Sequence, residues 1–299
     1  MNVLVSGASG LIGSALVPLL RSDGHDVVRL ERGGGRCDTG SVSWDPQTGT
    51  LDRTRLTGIE AVVHLAGENI ANGRWSRDKK IRIRSSRVDA THLLARTLAE
   101  LDPPPQTLIA ASAIGYYGDR GGAVLDEDST PGGDFLAEVC REWEAATQPA
   151  AEGGIRVVNL RFGVVLSPIG GALATMLTPF RFGVGGPVGT GRQYLSWIAI
   201  DDALDAIRFA LATPGLSGPV NAVSPNPVTS AEFARALGRV LSRPALLPLP
   251  AVAARLLFGE MADALLLSST RVTPKRLLHA GFQFRFRELD AALRHVLGR

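Results

Sequence analysis

The feature that most constrains this chain is its opening. Asn2 to Ser6 (NVLVS) is a short β-branched and apolar run. It leads directly into Gly7-Ala-Ser-Gly10-Leu-Ile-Gly13, after which apolar residues return at Leu11, Ala15, Leu16, Leu19 and Leu20, the spacing of a helix. A strand that becomes a helix through three glycines has few structural options. Residues without a Cβ let backbone N–H groups approach a bound group, and the helix N-terminus adds partial positive charge. The last glycine lets helix and strand pack closely. Gly7, Ser9, Gly10, Leu11, Ile12 and Gly13 are therefore expected to cradle a pyrophosphate.

The next segments extend the same pattern. Asp26 to Leu30 (DVVRL) completes a βαβ unit of about thirty residues, the length a right-handed crossover needs. Glu60 to Leu65, Thr107 to Ala111 and Ile155 to Leu160 are further apolar strands. Helices are predicted near 76–101, closed by Asp102-Pro-Pro-Pro105, and near 134–151. Strands apolar throughout that alternate with helices predict an α/β fold, a Rossmann-type doubly wound parallel sheet covered on both faces. After Phe162 the pattern loosens into a Gly- and Pro-rich stretch at 166–192. A helix follows over 201–212, and Thr229 with Glu232 forms a capping box. The expected division is a nucleotide-binding domain over 1–165, to which 199–228 return, and a smaller, mostly helical lobe from 166–198 and 229–299.

Composition excludes several classes. At 45% apolar and 20% charged residues, the 299-residue chain is neither disordered nor fibrous. Lys plus Arg is 32 against 29 acidic residues, too balanced for a phosphate-tracking nucleic-acid binder. Glu232 to Arg299 holds 11 basic and 5 acidic residues, a lobe that attracts an anion or, more simply, solvates a surface. Cys37 and Cys140 make no metal or redox framework, and no His/Cys/Asp/Glu cluster has metal-ligand spacing. The apolar start lacks a basic leader, since its first arginine is Arg21, and no run reaches the roughly 18 apolar residues of a membrane span. A cytoplasmic monomer or homodimer that binds neither membrane nor nucleic acid is expected.

The glycine spacing G-x-x-G-x-x-G resembles that of the extended short-chain dehydrogenase/reductase superfamily, the group of sugar-nucleotide epimerases and dehydratases. Further resemblances follow in order: Leu65-Ala66-Gly67, Ser112 through Tyr117-Gly118, Asp126-Glu127, Leu160-Arg161-Phe162-Gly163 and Ile200-Asp201-Asp202-Ala203. Ala66-Gly67-Glu68-Asn69-Ile70, Gly132-Gly133-Asp134-Phe135, Trp143-Glu144 and Gly281-Phe282-Gln283-Phe284 narrow the likeness. They are similar to an atypical branch described as epimerase-family, NADP-dependent oxidoreductases with an extra C-terminal module. The resemblance implies a dinucleotide contacted by Leu65, Ala66, Gly67, Glu68, Phe162 and Val164 besides the glycine loop. It also implies a substrate cleft lined by Asn69, Arg161, Gln193, Tyr194 and Trp197, although a tryptophan at such a place is more often core. Arg87 stands where the superfamily often has an asparagine near the cofactor, and is expected at a cofactor or substrate anion.

Which dinucleotide binds turns on Leu30-Glu31-Arg32. An acid at the end of the second strand takes the ribose 2′-hydroxyl of NAD, whereas an arginine takes the 2′-phosphate of NADP. Glu31 would repel that phosphate; Arg32, assisted by Arg36 across a glycine-rich loop, would bind it. NADP is favoured over NAD.

The usual acid–base pair is missing. Short-chain reductases use Tyr-x-x-x-Lys, in which the lysine lowers a phenol pKa near 10. The three tyrosines are followed at four residues by Arg120, Gly121 and Ile198, and Lys79, Lys80 and Lys275 are the only lysines. The family's helix aligns Leu136 and Cys140 with the pair, two residues suited to a packed helix face. Tyr116 or Tyr117, with Ser112 as hydrogen-bond partner, is the remaining candidate for proton transfer. The alternative is that both tyrosines only pack a loop. His64, inside a strand, reads as a satisfied core histidine. Two functions stay open: an NADP(H)-dependent oxidoreductase or epimerase acting on an unidentified small molecule, and a non-catalytic NADP(H)-binding sensor.

Overall fold

Seven short strands assemble in parallel and an eighth closes one edge antiparallel. In this computed structural model, which describes residues 1–33 and 40–299, they are β1 (Asn2–Ser6), β2 (Asp26–Arg32), β3 (Ser41–Asp45), β4 (Thr50–Leu51), β5 (Ala61–His64), β6 (Thr107–Ala113), β7 (Arg156–Phe162) and β8 (Gly218–Ala222). Their spatial order is β8-β7-β6-β5-β1-β2-β3-β4. Ser6 at the end of β1 lies opposite Leu30 of β2 on one side and His64 of β5 on the other. The strand order reverses between β1 and β5, and doubly wound sheets bind ligands outside the carboxyl ends of strands at such a reversal.

Side chains alternate across the sheet and feed two cores. Val3 and Val5 point to the face covered by α1 (Leu11–Ser22) and Leu16, Leu20, Ile109, Val158 and Ile207; Leu4 points to the opposite face with Leu30, Val62, Leu94, Leu98 and Leu108. Each fully buried Leu or Ile contributes about 1.5–3 kcal/mol. A third cluster (Leu173, Leu177, Phe180, Trp197, Phe233, Leu237, Leu293) builds the remaining lobe. The carboxylate of Asp202, near the start of the helix Ile200–Ala212, accepts the amides of Arg285 and Phe286 at 2.7 and 3.0 Å, tying the C-terminal segment to that helix. Among the described residues no helix is long and apolar enough to cross a membrane.

Several boundaries differ from the sequence-based expectation. The predicted helix over 76–101 is two helices, α2 (Arg77–Ser85) and α3 (Val88–Ala99). The break exists because the loop after β5 draws both intervening residues: the Glu68 amide donates to Ser86 Oγ at 2.9 Å, and Arg87 Nη1 donates to the Glu68 carbonyl at 3.1 Å. The helix expected over 134–151 ends as α4 (Phe135–Ala145), followed by a short Gln148–Glu152 piece that Pro149 opens. Strand β3 was not anticipated, because only Val42 and Trp44 of its alternating sequence are apolar. Strand β8 contains Pro219, which a sheet tolerates at its edge. The Gly- and Pro-rich stretch contains a helix, Gly171–Arg181. The Thr229–Glu232 capping box forms as expected, with reciprocal bonds of 3.2 and 2.7 Å.

Candidate functional site

At the end of β1 the chain turns through Gly7 at φ +68°, and a Cβ there would lie 2.7 Å from the Leu65 carbonyl carbon. A Cβ on Gly13 would lie 2.2 Å from the Gly7 oxygen. Only glycine permits either approach. The first helical hydrogen bond of α1 runs from the Ser14 amide to the Gly10 carbonyl at 2.9 Å, so the amides of Leu11, Ile12 and Gly13 have no acceptor within the helix. No side chain caps this end, its first turn has no acid, and Ser9 and Gly10 are exposed. A pyrophosphate fits this cradle on both shape and charge.

The loop after β5 is fixed from beneath. Ser6 Oγ accepts the amides of Leu65 and Ala66 at 3.2 and 3.4 Å, which leaves its hydrogen for His64 Nδ1 at 2.6 Å. His64 Nε2 then donates to Thr91 Oγ1 at 3.0 Å, which also accepts from Trp143 Nε1 at 2.9 Å. Burial pushes the His64 pKa down to about 4, so the ring is neutral and belongs to the core, as its strand position suggested. Arg87 lies between the Trp143 ring, 5.0 Å from its centroid, and Gly67, where a Cβ would be 3.3 Å from the guanidinium carbon. Its Nη1 bonds the carbonyls of Glu68 and Ile83. Arg87 braces the loop's backbone.

A pair the sequence did not single out stands beside this loop. Lys79, 4% exposed, donates to Glu68 Oε1 at 2.6 Å and holds that carboxyl below its ordinary pKa. In sequence, Lys79 is one of a run of basic residues that resembles a solvated face. The one legible signal was that Lys79 falls four residues before the apolar Ile83.

The second half of the site lies at the ends of β6 and β7. Tyr117 is fully buried; its hydroxyl donates to Asn221 Oδ1 at 2.7 Å and accepts from Arg161 Nη1 at 2.9 Å. Burial pushes its pKa up to about 12. Ser112 Oγ donates to Glu144 Oε1 at 2.7 Å, and Glu144 grips Arg161 through two further bonds of 2.7 Å. Tyr116 is half-buried, its ring 3.5 Å below the Arg161 guanidinium and edge-on to Tyr117. The Tyr116 hydroxyl has no partner among the described residues. Leu136 and Cys140 pack against the turn: a Cβ on Gly115 would lie 3.4 Å from Leu136 and 3.7 Å from the Cys140 sulfur. Burial pushes the Cys140 thiol up to about 12. Glu144 is the group that organises this region, yet its sequence signal was only its place beside Trp143.

The other predicted site residues divide. Glu31 and Arg32 are exposed at the end of β2, and Arg36 lies outside the described residues. Leu65 and Ala66 are half-buried, Gly67 and Asn69 exposed, and Asn69 Oδ1 accepts the Ala71 amide at 2.8 Å. Phe162 is in the core, and Val164 is half-buried, opposite Trp197. Gln193 Nε2 bonds the carbonyls of Val188 and Leu266, both at 2.9 Å, and half-buried Tyr194 lies under Arg271. Two of the residues expected at the substrate cleft are buried. Trp197 is fully buried with its indole N–H on the Asn226 carbonyl, the core placement that the sequence also allowed. Arg161, 2% exposed, donates three hydrogen bonds to Glu144 and Tyr117, and its guanidinium lies over the Tyr116 ring.

Comparison with known proteins identifies the family. The NAD dependent epimerase/dehydratase family matches residues 3–222, and a domain of unknown function, DUF1731, matches residues 249–296. An epimerase family protein of Mycobacterium tuberculosis, MT2273, is 47% identical over 297 residues, covering 99% of this chain and 98% of that protein. The crystal structure of human epimerase family protein SDR39U1 (isoform 2) with NADPH superposes with a TM-score of 0.92 at 37% identity, covering 100% of both chains. A nucleoside-diphosphate sugar epimerase from Corynebacterium glutamicum gives 0.82 at 39% identity, covering 100% of this chain and 58% of that one.

Proposed function

The chain belongs to the NAD dependent epimerase/dehydratase family, and on that premise we propose that it binds NADP(H) between the ends of β1 and β5 and acts as an oxidoreductase or epimerase on a small molecule. The observation that carries the reading is the glycine cradle, where a Cβ at Gly7 or Gly13 would collide with backbone at 2.7 or 2.2 Å. The NADPH in the human SDR39U1 structure supports the choice of dinucleotide. So does the direction of the β2 side chains, since Glu31, the acid that would repel a 2′-phosphate, is paired with Arg29 at 3.2 Å. Residues 1–165 with 199–228 form the cofactor domain in this reading. Residues 166–198 and 229–299 form the substrate lobe, to which Gln193 and Tyr194 contribute with Asn69 opposite. The low cysteine count of the sequence, two in 299 residues, supports a cytosolic setting.

The bound dinucleotide supplies or accepts the hydride; the chain's own residues handle the proton. Tyr116 carries it, because its hydroxyl has no partner among the described residues while Tyr117 and Ser112 are committed inward. Arg161, held by Glu144, fixes the Tyr116 ring at 3.5 Å. A second reading, a sensor that binds NADP(H) without chemistry, is favoured by one observation: Leu136 and Cys140 pack against Gly115 where the family has its tyrosine and lysine. A crystal structure with NADPH separates the two. Tyr116 Oη facing the nicotinamide C4 is the expected result; a C4 ringed only by apolar side chains removes the oxidoreductase reading.

A further inference from the structure

Helix α2 carries five basic residues, and they divide by flank. Arg77, Lys80, Ile81 and Arg84, at helical spacing, line an outer groove with Trp75, Phe135 and Glu260. Lys80 is paired there with Glu260 at 2.6 Å and Arg84 with Glu142 at 2.6 Å. Lys79, Arg82, Ile83 and Ser86 form the inner stripe. Its two ends both touch one residue of the loop after β5: Lys79 donates to the Glu68 carboxylate at 2.6 Å, and Ser86 Oγ accepts the Glu68 amide at 2.9 Å. Ile83, fully buried, occupies the core side between them. Exposed Arg82 is left on the solvent side of the stripe, above the loop.

Arg32 arrives at the same place from the sheet. Val28 and Leu30 pack into the core under α3, together with Ala66, whereas Val27 packs under α1. Alternation along β2 therefore sends Arg32 toward α2 and the loop, and Glu31 to the other face with Arg29. The charges of Arg82 and Arg32 both bear on the Glu68 carboxyl, helping Lys79 to hold its pKa down. Neither arginine side chain makes a hydrogen bond or ion pair with any described residue. Three cations thus face one carboxylate at the mouth of the crevice. A phosphate monoester, with about two negative charges at neutral pH, matches the surplus.

We propose that Arg82 is a second anchor for the 2′-phosphate of NADP(H), closing on it from α2 while Arg32 holds it from β2, with the Lys79–Glu68 pair fixing the loop between them. This rests on the reading of the crevice as an NADP(H) site. Arg82 thereby sets dinucleotide choice from a helix on which the Glu31-Arg32 pattern is silent. Two arginines on separate elements give the planar, charge-assisted grip that discriminates a phosphate from a hydroxyl.

The test is calorimetric titration of the full chain and of Arg82→Ala with NADPH, NADH, 2′,5′-ADP and 5′-AMP. The expected result is a loss of roughly tenfold or more for NADPH and 2′,5′-ADP, with NADH and 5′-AMP within about twofold of wild type. Arg82→Lys should recover part of the loss, and the salt dependence of NADPH binding should fall in Arg82→Ala. Unchanged NADPH affinity in Arg82→Ala, or equal losses for NADPH and NADH, overturns the proposal while leaving the NADP(H) site intact. A folded wild-type chain that binds none of the four ligands overturns that site and the proposal with it.

Discussion

The two halves of the crevice are built on different principles. At β1 and β5 the machinery is main chain: Gly7 and Gly13 let backbone meet backbone, and buried Ser6, His64 and Thr91 fix the facing loop. At β6 and β7 it is side chain: Ser112, Glu144, Arg161 and Tyr117 form one buried polar chain, with Tyr116 stacked on its cation. The first half keeps the superfamily's pattern, and the second has replaced it. A backbone cradle has no tolerance for substitution, whereas a side-chain network can be rewired provided every buried charge keeps a partner.

The sharpest way to break this contrast is to add the same atoms to a glycine in each half. Gly13→Ala should cost more than about 3 kcal/mol and abolish NADPH binding, because its Cβ would meet the Gly7 oxygen at 2.2 Å. Gly115→Ala, whose Cβ would lie 3.4 Å from Leu136, should cost less than about 1 kcal/mol. Urea midpoints and calorimetry read both; similar losses at the two positions would remove the distinction. Glu144→Leu comes next. It strands the Arg161 guanidinium, 2% exposed, and should lower stability by about 3–5 kcal/mol.

The supports of the first half titrate. His64 has a folded pKa of about 4 against 6.5 in the unfolded chain. Between those values the unfolded state binds the extra proton, so stability falls as pH drops from 6.5 to 4, by about 3 kcal/mol across the window. Chemical denaturation at stepped pH should show that loss in wild type and a flatter profile in His64→Gln; parallel profiles would place the acid sensitivity elsewhere. The smallest contrast is within the tyrosine pair. Tyr117→Phe leaves Asn221 Oδ1 and Arg161 Nη1 each without a hydrogen-bond partner and should cost about 1–3 kcal/mol, whereas Tyr116→Phe should stay within about 0.5 kcal/mol. Thermal melts that rank them the other way would exchange their roles.

What was legible in the sequence follows the same divide. The glycines, the apolar strands and the family likeness can be read because main-chain sterics and strand burial act locally and leave a residue-type signature. The loss of Tyr-x-x-x-Lys was also legible, since three tyrosines and three lysines can be checked exhaustively. The buried charged pairs of the crevice were not. Glu144 and Arg161 are 17 positions apart on a helix and a strand, and Lys79 looks like any surface cation until Glu68 is set 2.6 Å from it. Pairings across elements carry no local spacing. For the same reason the burial of Trp197 and Arg161 could not be read from the sequence.

The central claim is that the turn after β1 holds the diphosphate of a nicotinamide dinucleotide whose 2′-phosphate meets Arg32. Isothermal titration of the wild-type chain with NADPH and NADH tests it most directly, with Arg32→Ala alongside. Saturable binding of one NADPH per chain, tighter than NADH, is expected, with a loss in Arg32→Ala of roughly tenfold or more for NADPH alone. Absence of heat with both dinucleotides on well-folded protein, or losses of equal size for the two in the variant, would contradict it.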